Sequence, residues 1–314
     1  MKRIVSIIAI VLSILLLTVA FCGCDSESES NKQSSVALVI GAHKFNPKFT
    51  VSPQLRETIN NAARSFGELS VTVSSGTPET VASYNLDVAR KDVGDAKLHQ
   101  IAQANTEVIV KEISNICARN SEVDTLSAII QAANNLKETK SPIKTLIIYD
   151  SGLSTSGHLT FNNPCLILND AKSLTKKLKK EHAIPDLRGM DVTWFGIGQV
   201  RGEQKRLDSE NQYRLKSIYR AILNEGKPKS LTFVDAELTS EYNDSGFPNV
   251  SICSLFDNGI DIDETMPEES NESKEIDIKL SDEKLKFKPD TAEFANESSA
   301  SDTLDLIAEK INKS

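Results

Sequence analysis

The residues with the greatest potential for chemistry lie where a predicted strand ends in a polar loop. Residues 143–150 form the clearest strand pattern of the chain and end in Asp150, and Ser151 opens a loop of small polar residues. Thr125 stands at the start of a helical pattern. Carboxylate and hydroxyl oxygens are the ligands that hard divalent cations prefer, and a serine hydroxyl is a common nucleophile. Thr125, Asp150 and Ser151 are therefore weak metal candidates, and the loop is a candidate for hydrolysis.

The loop lacks the pattern that a serine hydrolase needs. A nucleophile elbow requires Gly-x-Ser-x-Gly at a strand-to-helix turn, whereas residues 152–156 are Gly-Leu-Ser-Thr-Ser. The histidines have neither triad nor zinc spacing; they are His43, His99, His158 and His182. We therefore predict a protein that is not an enzyme and binds no cofactor. The minor alternative is a hydrolase that uses Ser151, Ser154 or Ser156.

The N-terminal segment has the features of an export signal. Two basic residues precede an uncharged apolar run over residues 4–21, and Cys22, Gly23 and Cys24 follow. This end resembles the bacterial lipobox, in which a small residue precedes the lipidated cysteine. The resemblance implies a signal peptide over residues 1–23, a lipid on Cys24 and a polar spacer over residues 24–35. An uncleaved anchor is the alternative, because the apolar run is long enough to span a bilayer.

Composition limits the partners that the chain can bind. The net charge of -8 and the aromatic content of 5% argue against nucleic acid, which needs clustered basic residues and stacking aromatics. Cys117, Cys165 and Cys253 lie beyond the signal, and no CxxC pair indicates a zinc or redox site. A buried free thiol is the simplest state for each cysteine, and one disulfide among the three remains open.

The elements that must position these residues alternate between strands and helices. Strand patterns occur at residues 36–42, 69–73, 81–88, 143–150, 190–197 and 231–234. Helical patterns occur at residues 53–66, 98–118, 125–136, 171–181 and 204–223. This alternation predicts a three-layer α/β fold over residues 36–238, a mostly parallel sheet with helices on both faces. In such a sheet the loops at the carboxyl ends of the strands form the binding edge.

The predicted domain resembles the von Willebrand factor A-like family. The resemblance lies in the order of elements and in residues 121–126, 149–152 and 192–198. In that family an Asp-x-Ser-x-Ser loop after the first strand supplies most ligands of a metal-ion-dependent adhesion site, which a later Thr and Asp complete. Here residues 41–45 are Gly-Ala-His-Lys-Phe, so the resemblance implies a degenerate site that serves as a contact rim. The predicted rim consists of His43, Lys44, Asp124, Thr125, Asp150, Ser151, Ser154 and Ser156.

The pattern changes after residue 238. Residues 239–275 contain a run rich in Asp, Glu, Asn and Ser, which predicts an acidic linker. Residues 285–294 resemble the opening of an OmpA-like domain, and a helical pattern follows at residues 301–311. The resemblance implies a partial OmpA-like segment over residues 276–314, without the family's peptidoglycan-binding Asp and Arg. A polar tail that ends in one amphipathic helix is the alternative.

Together these features predict an extracytoplasmic lipoprotein that acts as a binding module. We expect the lipid on Cys24 to hold the chain at the cell membrane. The α/β domain would then bind a protein or cell-wall partner through its carboxyl-edge loops, an argument that rests on fold analogy. The alternative is a solute-binding lipoprotein of a transporter, which would need a second lobe with its own sheet.

Overall fold

A six-stranded sheet with helices on both sides forms the body of the protein. The computed structural model describes residues 32–86, 93–163, 166–235, 238, 241–244, 246–253, 255, 301, 304 and 305. The strands are β1 (Ser34–Ile40), β2 (Glu68–Val73), β3 (Glu79–Asn85), β4 (Ile143–Tyr149), β5 (Met190–Phe195) and β6 (Ser230–Val234). The helices are α1 (Pro53–Arg64), α2 (Asp95–Ile113), α3 (Thr125–Glu138), α4 (Ala171–Lys180) and α5 (Ser209–Glu225).

The sheet is parallel except at one edge. Its order is β3-β2-β1-β4-β5-β6, and only β3 runs antiparallel to its neighbour β2. A single antiparallel edge strand is common on otherwise parallel sheets. β2 pairs with β3, the strand that follows it in the chain, from Glu68 with Asn85 to Val73 with Glu79. The topology also confirms the predicted three-layer α/β fold with a mostly parallel sheet.

The alternation of side chains along β1 divides the core into two layers. Ala37 and Val39 pack with residues of α3, α4 and α5, whereas Leu38 and Ile40 pack with residues of α1 and α2. Trp194 of β5 is the only tryptophan of the chain and is fully buried in the first layer. Both faces of the central strands are therefore covered, as a parallel sheet requires.

The register of the parallel strands determines which residues meet at the carboxyl edge. Ile40 of β1 pairs with Val73 of β2 and with Tyr149 of β4. Gly41 N then donates a hydrogen bond to the Tyr149 carbonyl (2.7 Å), and Ser74 N donates one to the Ile40 carbonyl (3.2 Å). The residues that follow these three strands, Gly41, Ser74 and Asp150, therefore leave the sheet side by side.

The predicted acidic linker, residues 239–275, begins with a segment that instead packs across the carboxyl edge. We call residues 241–244 and 246–253 the strap. Tyr242 forms an isolated antiparallel bridge with Pro47, and both Asn243 and Cys253 are buried. This polar sequence is ordered because its backbone finds partners in the edge loops, as in the bond from Glu122 N to the Asn249 carbonyl (3.1 Å). The folded domain thus continues at least to residue 253.

The ends of the chain are only partly described. β1 begins at Ser34, inside the predicted spacer. The predicted signal peptide, Cys24, Cys165 and nearly all of the OmpA-like segment lie outside the described residues. Within the described part, Cys117 and Cys253 are free thiols, and no helix has the length and apolar character needed to cross a bilayer.

Candidate functional site at the carboxyl edge

A buried carboxylate, Asp150, lies at the centre of the carboxyl edge and is 1% exposed. Its Oδ1 accepts hydrogen bonds from Thr125 Oγ1 (2.9 Å) and Gly152 N (2.6 Å). Its Oδ2 accepts a hydrogen bond from Ser74 Oγ. The donors come from the loop after β2, the start of α3 and the loop after β4. Asp150 and these three donors, which we call the Asp150 hub, therefore join separate loops in one polar network.

His43 lies beside the hub and is 3% exposed. Its Nδ1 donates a hydrogen bond to the Lys44 carbonyl (2.9 Å), because a carbonyl oxygen only accepts. Its Nε2 faces Asp150 Oδ2 at 3.6 Å and has no hydrogen-bond partner among the described residues. Burial acts to raise the pKa of Asp150, but His43, the Ser74 hydroxyl and the Gly152 N–H together hold that pKa below its ordinary value. The hub is therefore built around an ionised carboxylate.

The loop after β1 does not fit the metal-ion-dependent adhesion site. A Cβ added to Gly41 would lie 2.5 Å from Asn46 Nδ2 and 2.7 Å from Asp150 Oδ2. Asn46 fills this space, because its Nδ2 donates to the Gly41 carbonyl (2.9 Å) and its Oδ1 accepts from Ser151 N (2.8 Å). Hard cations need a cluster of oxygen ligands, whereas the Asn46 amide N–H and the His43 imidazole lie beside Asp150 in this loop. No cluster of three or more His, Cys, Asp or Glu side chains suited to a metal occurs in the described ranges.

The three predicted metal candidates are brought together, but they are engaged with protein groups. Thr125 and Asp150 are bonded to each other. Ser151 is 1% exposed, and its Oγ accepts a hydrogen bond from Leu153 N (3.4 Å). These side chains therefore act as structural members of the hub and its surroundings.

The predicted contact rim is assembled at one edge but is mostly hidden from solvent. His43, Asp124, Thr125, Asp150, Ser151 and Ser154 are buried, and only Lys44 and Ser156 are half-buried. Several of their polar atoms have internal partners. Ser154 Oγ accepts from Thr125 N (3.0 Å), Ser156 Oγ donates to the Val123 carbonyl (3.0 Å), and Asp124 caps α3 through Ser127 N (3.0 Å). The structure thus differs from the expected exposed rim, because these residues hold the loops in place.

The loop serines are not placed against a general base. Ser154 Oγ lies 3.3 Å from Tyr219 Oη, which itself donates to the Gly152 carbonyl (2.8 Å). Burial raises the pKa of the Tyr219 hydroxyl well above its ordinary range. Among the described hydrogen bonds, none joins a histidine to Ser151, Ser154 or Ser156.

The strap covers this edge and is pinned to three loops. The Glu122 carboxylate accepts hydrogen bonds from Ser251 N (3.1 Å) and Ser251 Oγ (2.8 Å). Gln204 exchanges two hydrogen bonds with the backbone of Cys253, at 3.1 and 2.8 Å. Asn243 Nδ2 donates to the His43 carbonyl (3.0 Å). The hub is consequently roofed by the protein's own chain.

The reactivities of the two described cysteines can be compared to measure how well the strap is buried against this edge. Cys117 is exposed, whereas Cys253 is buried. The pKa of Cys253 is raised to about 12, mainly by burial and to a smaller extent by the nearby Glu122 charge. At pH 8 this lowers the thiolate fraction of Cys253 about a thousandfold relative to a thiol of pKa 9.0. We expect iodoacetamide to alkylate Cys117 at least roughly a hundred times faster than Cys253, as measured by peptide mass spectrometry at pH 8.

The same assay tests how the strap is held. Glu122→Ala should accelerate alkylation of Cys253 because it removes both bonds to Ser251, whereas Glu57→Ala on the exposed side of α1 should not. Equal rates for Cys117 and Cys253 in the unchanged protein would contradict a strap that buries Cys253.

Several residues of the edge escaped the sequence analysis. Ser74 directly follows β2, so the rule that residues after parallel strands share an edge could have found it. Asn46 and Asn243 carried no comparable signal, because an isolated Asn in a loop is usually a turn residue. Only the structure shows that both amides are buried against the residues after β1.

Comparisons with known proteins give weak likenesses. No family model and no curated protein matches the chain. An aerotolerance-related membrane protein from Bacteroides fragilis, with multiple mutations to serines, is 14% identical over 66% of this chain and 92% of its own, with a TM-score of 0.29. BatB from Bacteroides thetaiotaomicron is 16% identical over 66% and 91%, with a TM-score of 0.29. A mutant of the PilB minor pilin from Streptococcus sanguinis is 11% identical over 65% and 58%, with a TM-score of 0.35. TM-scores this low carry no argument about this chain.

Proposed function

We propose that this protein is an extracytoplasmic lipoprotein, held at the cell membrane through Cys24, that works as a non-enzymatic protein-interaction module. One observation carries the proposal: the Asp150 carboxylate is 1% exposed and accepts hydrogen bonds from three donors of the protein itself. A carboxylate that binds substrate or activates a nucleophile needs an acceptor position open to the reacting group. Here the acceptor positions organise loops, and this supports a scaffold that presents a fixed surface.

The surface available for contact is the outer side of the strap and the loops beside it. We call Lys44, Arg201, Tyr242, Asn249 and Ile252 the edge surface. The Arg201 guanidinium lies over the Tyr242 ring at 4.9 Å, and Lys44 Nζ donates to Asn249 Oδ1 (2.6 Å). Ile252 is 46% exposed although it is a large apolar residue. Arg and Tyr are enriched in the energetic centres of protein interfaces, and a protein partner suits this combination.

A solute-binding lipoprotein of a transporter is the alternative. It would need a cleft between two lobes, whereas the described strands form one sheet. The described edge does contain a small cleft of 160 Å³ lined by Gln199, Arg206, Gln212, Asp235 and Tyr242. A cleft of that volume lies well below the range typical of small-molecule sites, so the carboxyl edge suits a protein partner better than a solute.

The proposal predicts a contact that is specific to the edge surface. A photo-crosslinking amino acid placed at Ile252 should give discrete protein adducts in intact cells, because this side chain of the strap is exposed. The matched control is Tyr213 on α5, which is 71% exposed but lies elsewhere, and it should give none of these adducts.

Two further variants make the crosslinking experiment decisive. Arg201→Ala combined with Tyr242→Ala should abolish the adducts while the protein stays folded, since both side chains lie outside the core layers. Cys24→Ser should release the chain from the membrane fraction if Cys24 carries the lipid. Identical adducts from Ile252 and Tyr213, or adducts that survive the double substitution, would rule out this edge as the contact surface.

A further inference from the structure

A second surface lies at the opposite, amino edge of the sheet and is rich in basic residues. We call Lys137, Lys140, Lys180, Arg188, Lys227 and Lys229 the basic face; all six are exposed. We infer that the basic face docks on an anionic lipid surface. This inference rests on the membrane attachment proposed above and adds the orientation in which the attached domain sits.

The fold explains why these residues are neighbours. In a parallel α/β sheet the crossover helices run back against the strands, so the ends of helices and the starts of strands share the amino edge. Lys137 lies in the last turn of α3 and Lys180 in the last turn of α4. The loops before β5 and β6 are joined by a bridge between Arg188 and Pro228 and by the bond from Lys229 N to the Met190 carbonyl (2.8 Å).

Three carboxylates of this edge are paired with cations, and together with the exposed Glu138 they are outnumbered by the basic residues. Asp186 is shared by Arg188 (2.7 Å) and Lys137 (2.9 Å), and these partners hold the pKa of Asp186 well below its ordinary value. Asp191 pairs with Lys229 (3.0 Å), and Glu225 pairs with Lys179 (2.5 Å). Lys140 and Lys180 have no carboxylate within ion-pair distance among the described residues.

The overall charge of the chain does not account for this face. The net charge of -8 comes largely from the Asp- and Glu-rich sequence beyond residue 256, whereas Lys and Arg slightly outnumber Asp and Glu within residues 32–255. The basic residues are moreover concentrated where helices end, and cations there are favoured by the helix dipole. The basic face is therefore a local feature of the folded domain.

The proposed point of attachment favours a lipid surface as the partner of the basic face. β1 begins at Ser34 on the amino edge, where Ser34 pairs with Ile143 and Ser35 with Lys144. The chain between Cys24 and Ser34 can span at most roughly 35 Å when fully extended. A domain held this closely brings its amino edge to the bilayer, where anionic headgroups attract Lys and Arg over a distance of roughly 10 Å at 0.1 M salt.

The test measures lysine acylation by an N-hydroxysuccinimide ester on the full lipidated chain in vesicles. One set of vesicles is phosphatidylcholine alone, and the other contains about one-third phosphatidylglycerol. We expect acylation of Lys140, Lys180 and Lys227, mapped by mass spectrometry, to slow roughly fivefold to tenfold on the anionic vesicles, and this protection to disappear near 1 M salt. Lys111, near the end of α2, is the internal control and should react equally on both.

Paired substitutions isolate the role of charge. Lys140→Glu with Lys180→Glu should remove the lipid-dependent protection of Lys227, whereas Lys111→Glu with Arg206→Glu, which makes the same change in net charge elsewhere, should preserve it. Equal acylation on both kinds of vesicle would overturn the inference. Protection that already exists in neutral detergent would overturn it too, and would indicate that the acidic run at residues 257–271 covers the basic face.

Flotation separates this inference from the proposed attachment. If the chain floats with neutral vesicles but its lysines are not protected on anionic ones, the result supports the lipid attachment and contradicts the docking surface. If the chain floats only with anionic vesicles and its lysines are protected, the result contradicts the lipid attachment and supports the docking surface. If the chain floats with neither kind of vesicle, the result contradicts both.

Discussion

Replacement of Asp150 by alanine is expected to lower the free energy of unfolding at pH 7 by roughly 3–5 kcal/mol. The substitution removes the shared acceptor of Thr125, Gly152 and Ser74, and all three donors lie where water cannot replace it. It also leaves the buried His43 ring without its neighbouring carboxylate at 3.6 Å. Urea unfolding followed by the fluorescence of Trp194, the only tryptophan, measures the change.

The pH dependence of that loss gives a second readout. The pKa of Asp150 is lowered in the folded protein, so its stabilising contribution is present above the unfolded pKa of about 3.9 and is lost as the pH falls through the folded pKa. The difference in the free energy of unfolding between the parent protein and Asp150→Ala should therefore become smaller below pH 4. The control is Asp235→Ala, which removes an exposed carboxylate paired with Lys216 and should leave stability unchanged. A comparable loss in the control would argue against a special role for the hub.

Trp194→Ala should destabilise the protein by roughly 3–5 kcal/mol, because it empties a large volume in a close-packed core layer. The indole packs edge-on against Tyr219 with ring centroids 4.5 Å apart, and stacks with Phe233 at 5.9 Å. Its Nε1 also donates to the Asp150 carbonyl (2.8 Å), so the substitution also removes a hydrogen bond to the backbone of Asp150. Far-UV circular dichroism during urea unfolding measures the effect without the fluorophore.

Trp194→Phe separates packing from hydrogen bonding. Phenylalanine keeps most of the buried aromatic surface and loses the bond to the Asp150 carbonyl, so we expect a loss of about 1–3 kcal/mol, smaller than that of alanine. If Cys253 alkylation also accelerates in Trp194→Phe, the hydrogen bond from Trp194 to the Asp150 carbonyl also helps to hold the strap in place. Equal losses for Phe and Ala would mean that the hydrogen bond, and not the ring volume, dominates.

The sequence predicted the architecture because the fold depends on patterns that short segments carry. The apolar run at residues 36–42 corresponds to β1, which is buried on both faces, and the pattern at residues 190–197 corresponds to β5, whose side chains alternate between buried and half-buried. Helical spacing identified each α-helix. Helix starts followed ordinary capping chemistry, as at Asp124 before α3. Bounds differed where loops intervene: the pattern at residues 204–223 becomes the helix Ser209–Glu225, which begins after the Asp208 cap.

The candidate site was only half predictable, because its decisive contacts join residues far apart in the chain. Strand-end reasoning placed His43, Thr125 and Asp150 together correctly. It could not show that Asn46 fills the space beside Gly41, nor that the strap turns the predicted rim into an interior. A polar stretch such as residues 241–253 predicts solvation unless its tertiary partners are known, and its hydrogen-bond partners lie between 49 and 205 residues earlier in the chain.

The strap also imposes an order of assembly during synthesis. A chain that is made from its N-terminus folds from that end, so β1 through β6 can pack before residues 241–253 emerge. Until then the loops around residues 43–48, 122 and 204 lack the backbone partners that the strap supplies. The edge proposed for recognition is therefore completed after the sheet, and a nascent molecule would have a packed core before its binding edge is formed.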